Sequence, residues 1–275
     1  MRSRASSARR TAVRRAVLAG GPARLTRLTG LARLARLARA RASLGVGPEY
    51  PSETGDLRQV RLAGLAMPLR ATVAIAVVTC VVLFDYSRTF LPENALASGR
   101  TPAALALIAV ERLILFGLVP LIVVVVGFWD RPARYGLSIG DWRIGSSLAF
   151  LGCLLMTPVV LWFAALPESR AYYAPSSAPV GVVVLTNLVD LGAAEFLFRG
   201  FLMMTLVRAI GPLGVLVATL PFVYVHLGKP ELELLSTLGG GLVYGWLAWR
   251  TRSVVWGALG HVYILSLVTL AAGWP

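Results

Sequence analysis

The stretch VGVVVLTNLVDLGAAEFLFRGFLMMTLVRAI, residues 180–210, establishes the architecture of this chain. It is long and apolar enough to cross a lipid bilayer as a helix, which requires about 20 predominantly apolar residues. Asp190, Glu195 and Arg199 interrupt its apolar interior. Because each ionisable residue in a span costs about 2.5 to 3.5 kcal/mol on insertion, those that occur usually face the bundle interior for a functional reason. The stretch therefore predicts a transmembrane helix that carries part of a polar site.

Six further apolar stretches surround this one, and the composition of the chain agrees with them. Of its 275 residues, 57% are hydrophobic and only 15% are charged, which excludes an ordinary soluble globular protein. We predict an all-α polytopic membrane bundle of about seven transmembrane helices, at residues 71–91, 103–128, 145–166, 180–208, 212–228, 232–249 and 254–272. Pro120 is expected to kink the second helix. Gly241 and Gly245 form a Gly-x-x-x-Gly pair, which predicts close packing of the sixth helix inside the bundle.

Basic residues are distributed unevenly along the chain. Residues 1–68 contain 14 arginines and three acidic residues, so they hold a net charge of +11 out of the +14 of the whole chain. With a cytoplasmic amino terminus, the predicted inside segments hold 20 basic residues and the outside loops four, which is the asymmetry of the positive-inside rule. We therefore expect an integral protein of a bacterial plasma membrane, with its amino terminus in the cytoplasm and its surface in contact with the lipid bilayer.

Three regions follow from this pattern: an arginine-rich extension at 1–66, the first three transmembrane helices at 67–178, and a core of four helices at 179–275. The extension has no acidic residue before position 49 and its leucines form no single apolar stripe, so we predict a disordered tail or a helix on anionic lipid headgroups. There are two alternatives. The extension is an organelle transit peptide, or the true translation start is Met67 and the residues before it are upstream sequence. Because residues 1–48 have no aromatic side chain on which bases could stack, we expect no nucleic-acid partner. No predicted site residue lies in the extension, and we expect it to be dispensable for the chemistry.

The ionisable residues of the last four predicted helices form one constellation. Glu195 and Arg199 are four residues apart, so they share a helix face and can form an ion pair. Glu195 lies about 15 residues before the turn at residues 210–212, and His226 lies about 15 residues after it. In an antiparallel helix pair both are therefore about 22 Å from that turn. His261 lies nearer to the next turn along the chain, at a shallower depth in the membrane. It reaches Glu195 and His226 if its helix tilts or begins deeper in the membrane. We predict an intramembrane site that combines a carboxylate with two histidines.

Two histidines and a carboxylate are also the protein ligands of many catalytic zinc sites, so a zinc ion bound by Glu195, His226 and His261 is an alternative. The chain contains no His-Glu-x-x-His motif, and 35 residues separate the two histidines. We therefore expect neither a metal nor another cofactor.

Three motifs follow one another in this part of the chain: Ala-Glu-Phe-Leu-Phe-Arg at 194–199, Phe-Val-Tyr-Val-His at 222–226, and Gly-His-Val at 260–262. Their order and spacing resemble the motifs of the CPBP intramembrane proteases, in which Glu-Glu-x-x-x-Arg precedes Phe-x-x-x-His and a further histidine. This family is named for CAAX proteases and bacteriocin-processing proteins and is also called Abi. The resemblance implies a hydrolase similar to the type II CAAX prenyl endopeptidases. Its substrate is then a membrane-associated protein or peptide, for example a prenylated one.

The resemblance also implies that Glu195, His226 and His261 are catalytic. Amide hydrolysis needs a base for water, an acid for the leaving amine and a group that stabilises the oxyanion. We expect Glu195 to be the base, His226 to orient the water, and His261 to stabilise the oxyanion or hold the water. Supporting roles are expected for four further residues: Arg199, Asp190, Phe222 and Glu233.

Two positions differ from the family pattern. Ala194 occupies the place of the first glutamate of the pair, and Leu265 that of an asparagine or aspartate four residues after the third-motif histidine. Asp190, about one turn before Ala194, is a second candidate for the base. The alternative function is therefore a catalytically degenerate family member that binds a membrane peptide or partner without cleaving it.

Overall fold

A computed structural model of the chain describes residues 53–87, 101–173 and 178–273. The prediction that the extension at 1–66 is disordered or interfacial falls outside the described residues at 1–52. At residues 53–66 the structure differs from it, because a helical turn and most of a two-stranded hairpin form there. Within the described ranges helices dominate, and the only sheet is a two-stranded hairpin. The predicted all-α polytopic bundle is confirmed.

Each of the seven predicted apolar stretches contains a helix. The helices are α1 Leu69–Ser87, α2 Pro102–Gly127, α3 Trp142–Ala164, α4 Val180–Ile210, α5 Leu213–Tyr224, α6 Glu231–Thr251 and α7 Val255–Ala272. Among the described residues, five helices are long and apolar enough to cross a membrane, namely α1, α2, α3, α4 and α7. Helix α5, with 12 residues, and the glycine-rich α6 are not among them. The count of seven crossings therefore stays a prediction.

Short elements precede and connect the long helices: a helical turn at Thr54–Leu57, strands β1 at Gln59–Leu62 and β2 at Leu65–Pro68, a 3-10 turn at Pro132–Tyr135 and a helix at Pro167–Tyr173. The two strands pair antiparallel, with Val60 opposite Met67. The sequence analysis predicted none of these elements, because it depended on the length of apolar runs and these segments are too short to form one.

Two of the long helices contain π-helical turns. In α2, π turns at Leu113–Leu118 and Val123–Gly127 flank Pro120, which has no N–H to donate to an i−4 carbonyl. In α4, a π segment at Phe196–Met203 begins directly after Glu195. Such turns are rare and are frequently found at functional sites. The π segment of α4 therefore marks the part of the chain where a functional site is expected.

The core of the bundle surrounds this π segment, all 8 residues of which are buried. The Phe198 ring meets the rings of Phe116 and Phe222 edge-on, with centroids 5.7 and 5.8 Å apart. Gly200 lets the 3-10 turn approach closely, because a Cβ there would lie 2.5 Å from the carbonyl oxygen of Tyr135. Only glycine fits at this position of the π segment.

The predicted packing role of Gly241 and Gly245 is confirmed. A Cβ at Gly241 would lie 2.5 Å from Thr219 Cγ2, and one at Gly245 would lie 2.8 Å from Val215 Cγ1. Both contacts are with α5, so the two glycines hold α6 tightly against that helix. Helix α7 packs in turn on α3 and α4.

A buried ion network joins the segment before β1 to the bundle. Asp56 accepts hydrogen bonds from Arg70 Nη1 and Arg134 Nη2, each at 2.8 Å, and lies 3.4 Å from Arg208 Nε. Asp130 accepts from Arg70 at 2.8 Å and also pairs with Arg134. Burial would raise the pKa of Asp56, but the charge of Arg208 and the hydrogen bonds from Arg70 and Arg134 outweigh burial and lower that pKa. The segment before the first transmembrane helix thus contributes a buried carboxylate to the bundle.

Candidate active site

Glu195 is the last α-helical residue of α4 before the π segment and is fully buried. Its Oε1 lies 3.1 Å from Arg199 Nη1 and accepts a hydrogen bond from His261 Nδ1 at 3.0 Å. The guanidinium Cζ of Arg199 is 3.7 Å from the centroid of the Phe222 ring, which is a cation–π contact. The predicted pairing of Glu195 with Arg199 is present, and the attraction offsets part of the cost of burying both charges.

The two histidines face each other at the wall of a cavity. His261 is on α7 and His226 follows α5 in a turn; their ring centroids are 6.5 Å apart and their planes are 18° from parallel. Both side chains line a cavity of about 540 Å³ between α3, α5, α6 and α7. Glu195 lies behind His261 and is not part of the cavity wall. The predicted constellation is assembled, with His261 between Glu195 and the cavity.

The hydrogen bonds of the two imidazoles fix their protonation. His226 Nδ1 lies 2.8 Å from the carbonyl oxygen of Phe222, and His261 Nδ1 lies 3.0 Å from the Glu195 carboxylate. A carbonyl and a carboxylate only accept, so Nδ1 carries the proton in both rings. In each neutral ring Nε2 is therefore unprotonated, and it can accept a hydrogen bond or a proton.

The wall of the cavity is mostly apolar, with polar groups at two places. One is at the histidines, where the Tyr244 ring is stacked on His261 with centroids 5.4 Å apart. The other is at Glu233, which accepts hydrogen bonds from Lys229 Nζ at 2.6 Å and from the Tyr173 hydroxyl at 2.5 Å. An apolar cavity with a few positioned polar groups is typical of a ligand-binding site.

Asp190, predicted to support the site, lies elsewhere. Its Oδ1 accepts a hydrogen bond from Arg112 Nη1 at 3.2 Å, and Arg112 Nε donates to Asp85 at 2.9 Å. Asp190 and Glu195 are five residues apart, so on a helix they point about 140° away from each other. Asp190 therefore belongs to an ion network of α1, α2 and α4, and it does not offer a second base beside Glu195.

A metal site was the alternative for Glu195, His226 and His261. In residues 53–87, 101–173 and 178–273, no group of three or more His, Cys, Asp and Glu side chains is arranged to hold a metal ion. The Nδ1 atoms of both histidines already donate to protein acceptors, which leaves one nitrogen on each ring. The expectation that the protein has no cofactor stays a prediction.

Sequence reasoning missed Tyr244 as a residue of the site. It lies between Gly241 and Gly245, in a stretch whose glycine pattern was explained by packing alone. A signal was present, because Tyr244 is the one tyrosine in α6 and a tyrosine hydroxyl inside a bundle needs a hydrogen-bond partner.

Fold and site together define a class, an integral membrane protein of helical-bundle type with a buried carboxylate–histidine site at the wall of a cavity. Residues 176–266 match the family described as type II CAAX prenyl endopeptidase Rce1-like. The match covers about a third of the chain and includes Glu195, Arg199, His226 and His261. It confirms the resemblance to the CPBP, or CAAX, proteases, which are membrane-embedded hydrolases. No curated protein and no solved structure matches the chain.

Proposed function

We propose that the protein is an intramembrane endopeptidase that hydrolyses a peptide bond in a membrane-associated protein or peptide, such as one with a prenylated carboxyl terminus. The observation that carries the proposal is the hydrogen bond from His261 to the buried Glu195, at the wall of a cavity that His226 also lines. The family match covers the same residues and supports it.

The geometry favours His261 as the general base. Glu195 is outside the cavity wall, so it acts through His261: it orients the ring and stabilises the imidazolium that forms, as the aspartate does in a Ser-His-Asp triad. This differs from the expectation that Glu195 itself deprotonates the water. His226 accepts a hydrogen bond from the same water, because the 6.5 Å between the ring centroids suits one water held by two hydrogen bonds of about 2.8 Å.

The reaction then proceeds in two steps. His261 Nε2 takes a proton from the water while the water oxygen bonds to the carbonyl carbon, and the carbonyl oxygen becomes an oxyanion. Collapse of this intermediate breaks the carbon–nitrogen bond, and His261 gives its proton to the leaving amine. The products are a new carboxyl terminus and a new amino terminus, and His261 is neutral again.

The cavity suits an apolar substrate segment. Its volume of about 540 Å³ is within the range of about 300 to 1,000 Å³ for ligand sites. Helix α3 contributes apolar side chains to its wall, among them Met156, Val160 and Phe163. A lipid-modified or apolar peptide is therefore the substrate class that we propose.

We also propose seven membrane crossings in a bacterial plasma membrane with a cytoplasmic amino terminus. Support comes from the seven helices at the predicted stretches and from the excess of basic residues in the inside segments. Single cysteines at positions 95, 172 and 275 should react with an impermeant thiol reagent only from the outer side. Labelling of position 275 from the cytoplasm would require an odd change in the number of crossings.

A second candidate function is a degenerate family member that binds a membrane peptide without cleaving it. It is favoured by Ala194 and Leu265, which replace two family positions. The two candidates differ in whether a peptide bound at the cavity is consumed.

The test uses the full chain in liposomes with a fluorogenic peptide that ends in a farnesylated CAAX sequence. Glu195→Gln, His226→Ala and His261→Ala should each lower kcat about 10²- to 10⁴-fold, because general acid–base catalysis contributes a factor of that size. Tyr263→Phe is the control, since its hydroxyl is 2.6 Å from that of Thr157 and it is outside the cavity wall. Cleavage that persists in all three site variants would exclude the proposed site. Saturable binding of the peptide without cleavage by the wild type would favour the degenerate member.

A further inference from the structure

Hydrolysis of a peptide bond needs a hydrogen-bond donor where the oxyanion develops. Nε2 of neutral His226 and His261 can only accept, because Nδ1 carries the proton in both rings. The family position four residues after His261 is Leu265, which has no polar hydrogen to donate. The donor must therefore be another group of the cavity wall.

Of the hydroxyl groups that the described residues place in the cavity wall, only that of Tyr244 has no protein partner. The hydroxyl of Ser236 donates to the Glu233 carbonyl at 2.7 Å, and that of Thr237 donates to the Leu234 carbonyl at 2.6 Å. A polar group without a partner at such a place calls for a ligand or a catalytic role.

Tyr244 is directly beside the proposed base. Its ring is stacked on His261, with centroids 5.4 Å apart and planes 25° from parallel. A Cβ at Gly260 would lie 3.6 Å from Tyr244 Cε1 and 3.7 Å from its hydroxyl oxygen, and one at Gly257 would lie 3.7 Å from Cδ1. Two glycines of α7 thus accommodate the ring, and the hydroxyl lies against the residue that precedes His261. A carbonyl attacked by a water molecule at His261 is within reach of this hydroxyl.

We propose that Tyr244 is a further catalytic residue, whose hydroxyl donates a hydrogen bond to the carbonyl oxygen of the scissile peptide bond. The bond strengthens as negative charge develops on that oxygen, so it stabilises the transition state more than the bound substrate. This inference rests on the proposed endopeptidase function. It also gives a physical reason why the site can work with Leu265 in place of a polar residue.

Tyr244→Phe tests the inference, because it removes the hydroxyl and keeps the ring that stacks on His261. With the farnesylated peptide, we expect kcat to fall about 10²- to 10³-fold, as for the loss of one oxyanion donor, with KM unchanged. Tyr263→Phe removes a tyrosine hydroxyl from α7 outside the cavity and should leave kcat at the wild-type value. Incorporation of 3-fluorotyrosine at position 244 retains the ring and the donor, and it should keep kcat near that of the wild type.

The outcomes separate this inference from the proposed function. A Tyr244→Phe enzyme as active as Tyr263→Phe, while Glu195→Gln and His226→Ala are inactive, would overturn the role of Tyr244 alone. A 3-fluorotyrosine enzyme as slow as Tyr244→Phe would also overturn it, because the hydroxyl would then not be the group that matters. Unchanged cleavage in Glu195→Gln and His226→Ala would instead overturn the endopeptidase site itself.

Discussion

Replacement of Asp56 by asparagine should destabilise the bundle strongly, although Asp56 precedes the first transmembrane helix. Its side chain is only 3% exposed and accepts two charge-assisted hydrogen bonds at 2.8 Å, from Arg70 and Arg134, with Arg208 at 3.4 Å. Removal of one partner of a buried ion pair costs about 3 to 5 kcal/mol, because the other charge stays buried without compensation. Asparagine keeps one acceptor oxygen, so we expect a loss near the lower end, about 3 kcal/mol in the free energy of unfolding.

Unfolding of the purified protein in detergent micelles measures this loss, with Glu53→Gln as the matched control. Glu53 pairs with the same Arg134 at 3.2 Å, but its side chain is 62% exposed. An exposed ion pair contributes about 0 to 1 kcal/mol, so the control should be close to the wild type. If the Asp56→Asn protein were as stable as the Glu53→Gln protein, the buried network around Asp56 would not stabilise the fold.

The pH dependence of unfolding gives an independent check on Asp56. The charge of Arg208 and the hydrogen bonds from Arg70 and Arg134 lower its pKa in the folded protein below the ordinary aspartate value of 3.8. A carboxyl whose pKa is lower in the folded state stabilises the fold fully above the unfolded-state value, and this contribution is lost as the pH falls through 3.8 towards the folded-state pKa. The wild type should therefore lose stability more steeply than Asp56→Asn in this acidic range.

Further predictions concern packing and buried charge elsewhere in the bundle. Arg112→Gln removes the cation that pairs with Asp85 and Asp190, whose side chains are only 5% and 16% exposed, and should cost about 3 to 5 kcal/mol in the same unfolding assay; a cost below 1 kcal/mol would contradict the pairing. Gly241→Ala should destabilise by about 1 to 3 kcal/mol because its Cβ would overlap α5, whereas Gly239→Ala, which has open space around it, should not. A chain that begins at Met67 lacks Asp56 and should unfold as readily as Asp56→Asn; wild-type stability would show that the segment before the first transmembrane helix contributes nothing.

The helices could be predicted from the sequence because an apolar run of bilayer length has few alternatives to a helix. The π turns could not, since Arg199 is the only polar residue in Phe196–Met203, and a single polar residue sets no period that distinguishes π from α pairing. The part of the extension next to the first helix was also beyond prediction. Asp56 looked like one acid among many arginines, and its partners Arg134 and Arg208 are separated from it by long stretches of chain.

The candidate site was partly predictable for similar reasons. Glu195 and His226 are equally far along the chain from the turn at residues 210–212, and this was enough to predict that they lie in the same region. The i, i+4 spacing of Glu195 and Arg199 predicted their ion pair. Depth counted along straight helices gave His261 too shallow a position, whereas it contacts Glu195 directly. Asp190 was assigned by proximity in sequence, but its position around α4 directs it to a distant arginine.

The π segment at Phe196–Met203 has a consequence for how α4 can vary in evolution. A π turn is an α-helix with one additional residue, so it offsets the side-chain directions of the two ends of the helix. Glu195 meets His261 before that offset, and Arg208 meets Asp56 after it. Deletion of one residue from the segment would rotate the later part of the helix by about 100°, so Arg208 could not face Asp56 while Glu195 still faced His261. A substitution can change one of these two contacts without the other. The number of residues between Glu195 and Arg208, in contrast, is fixed because both contacts depend on it.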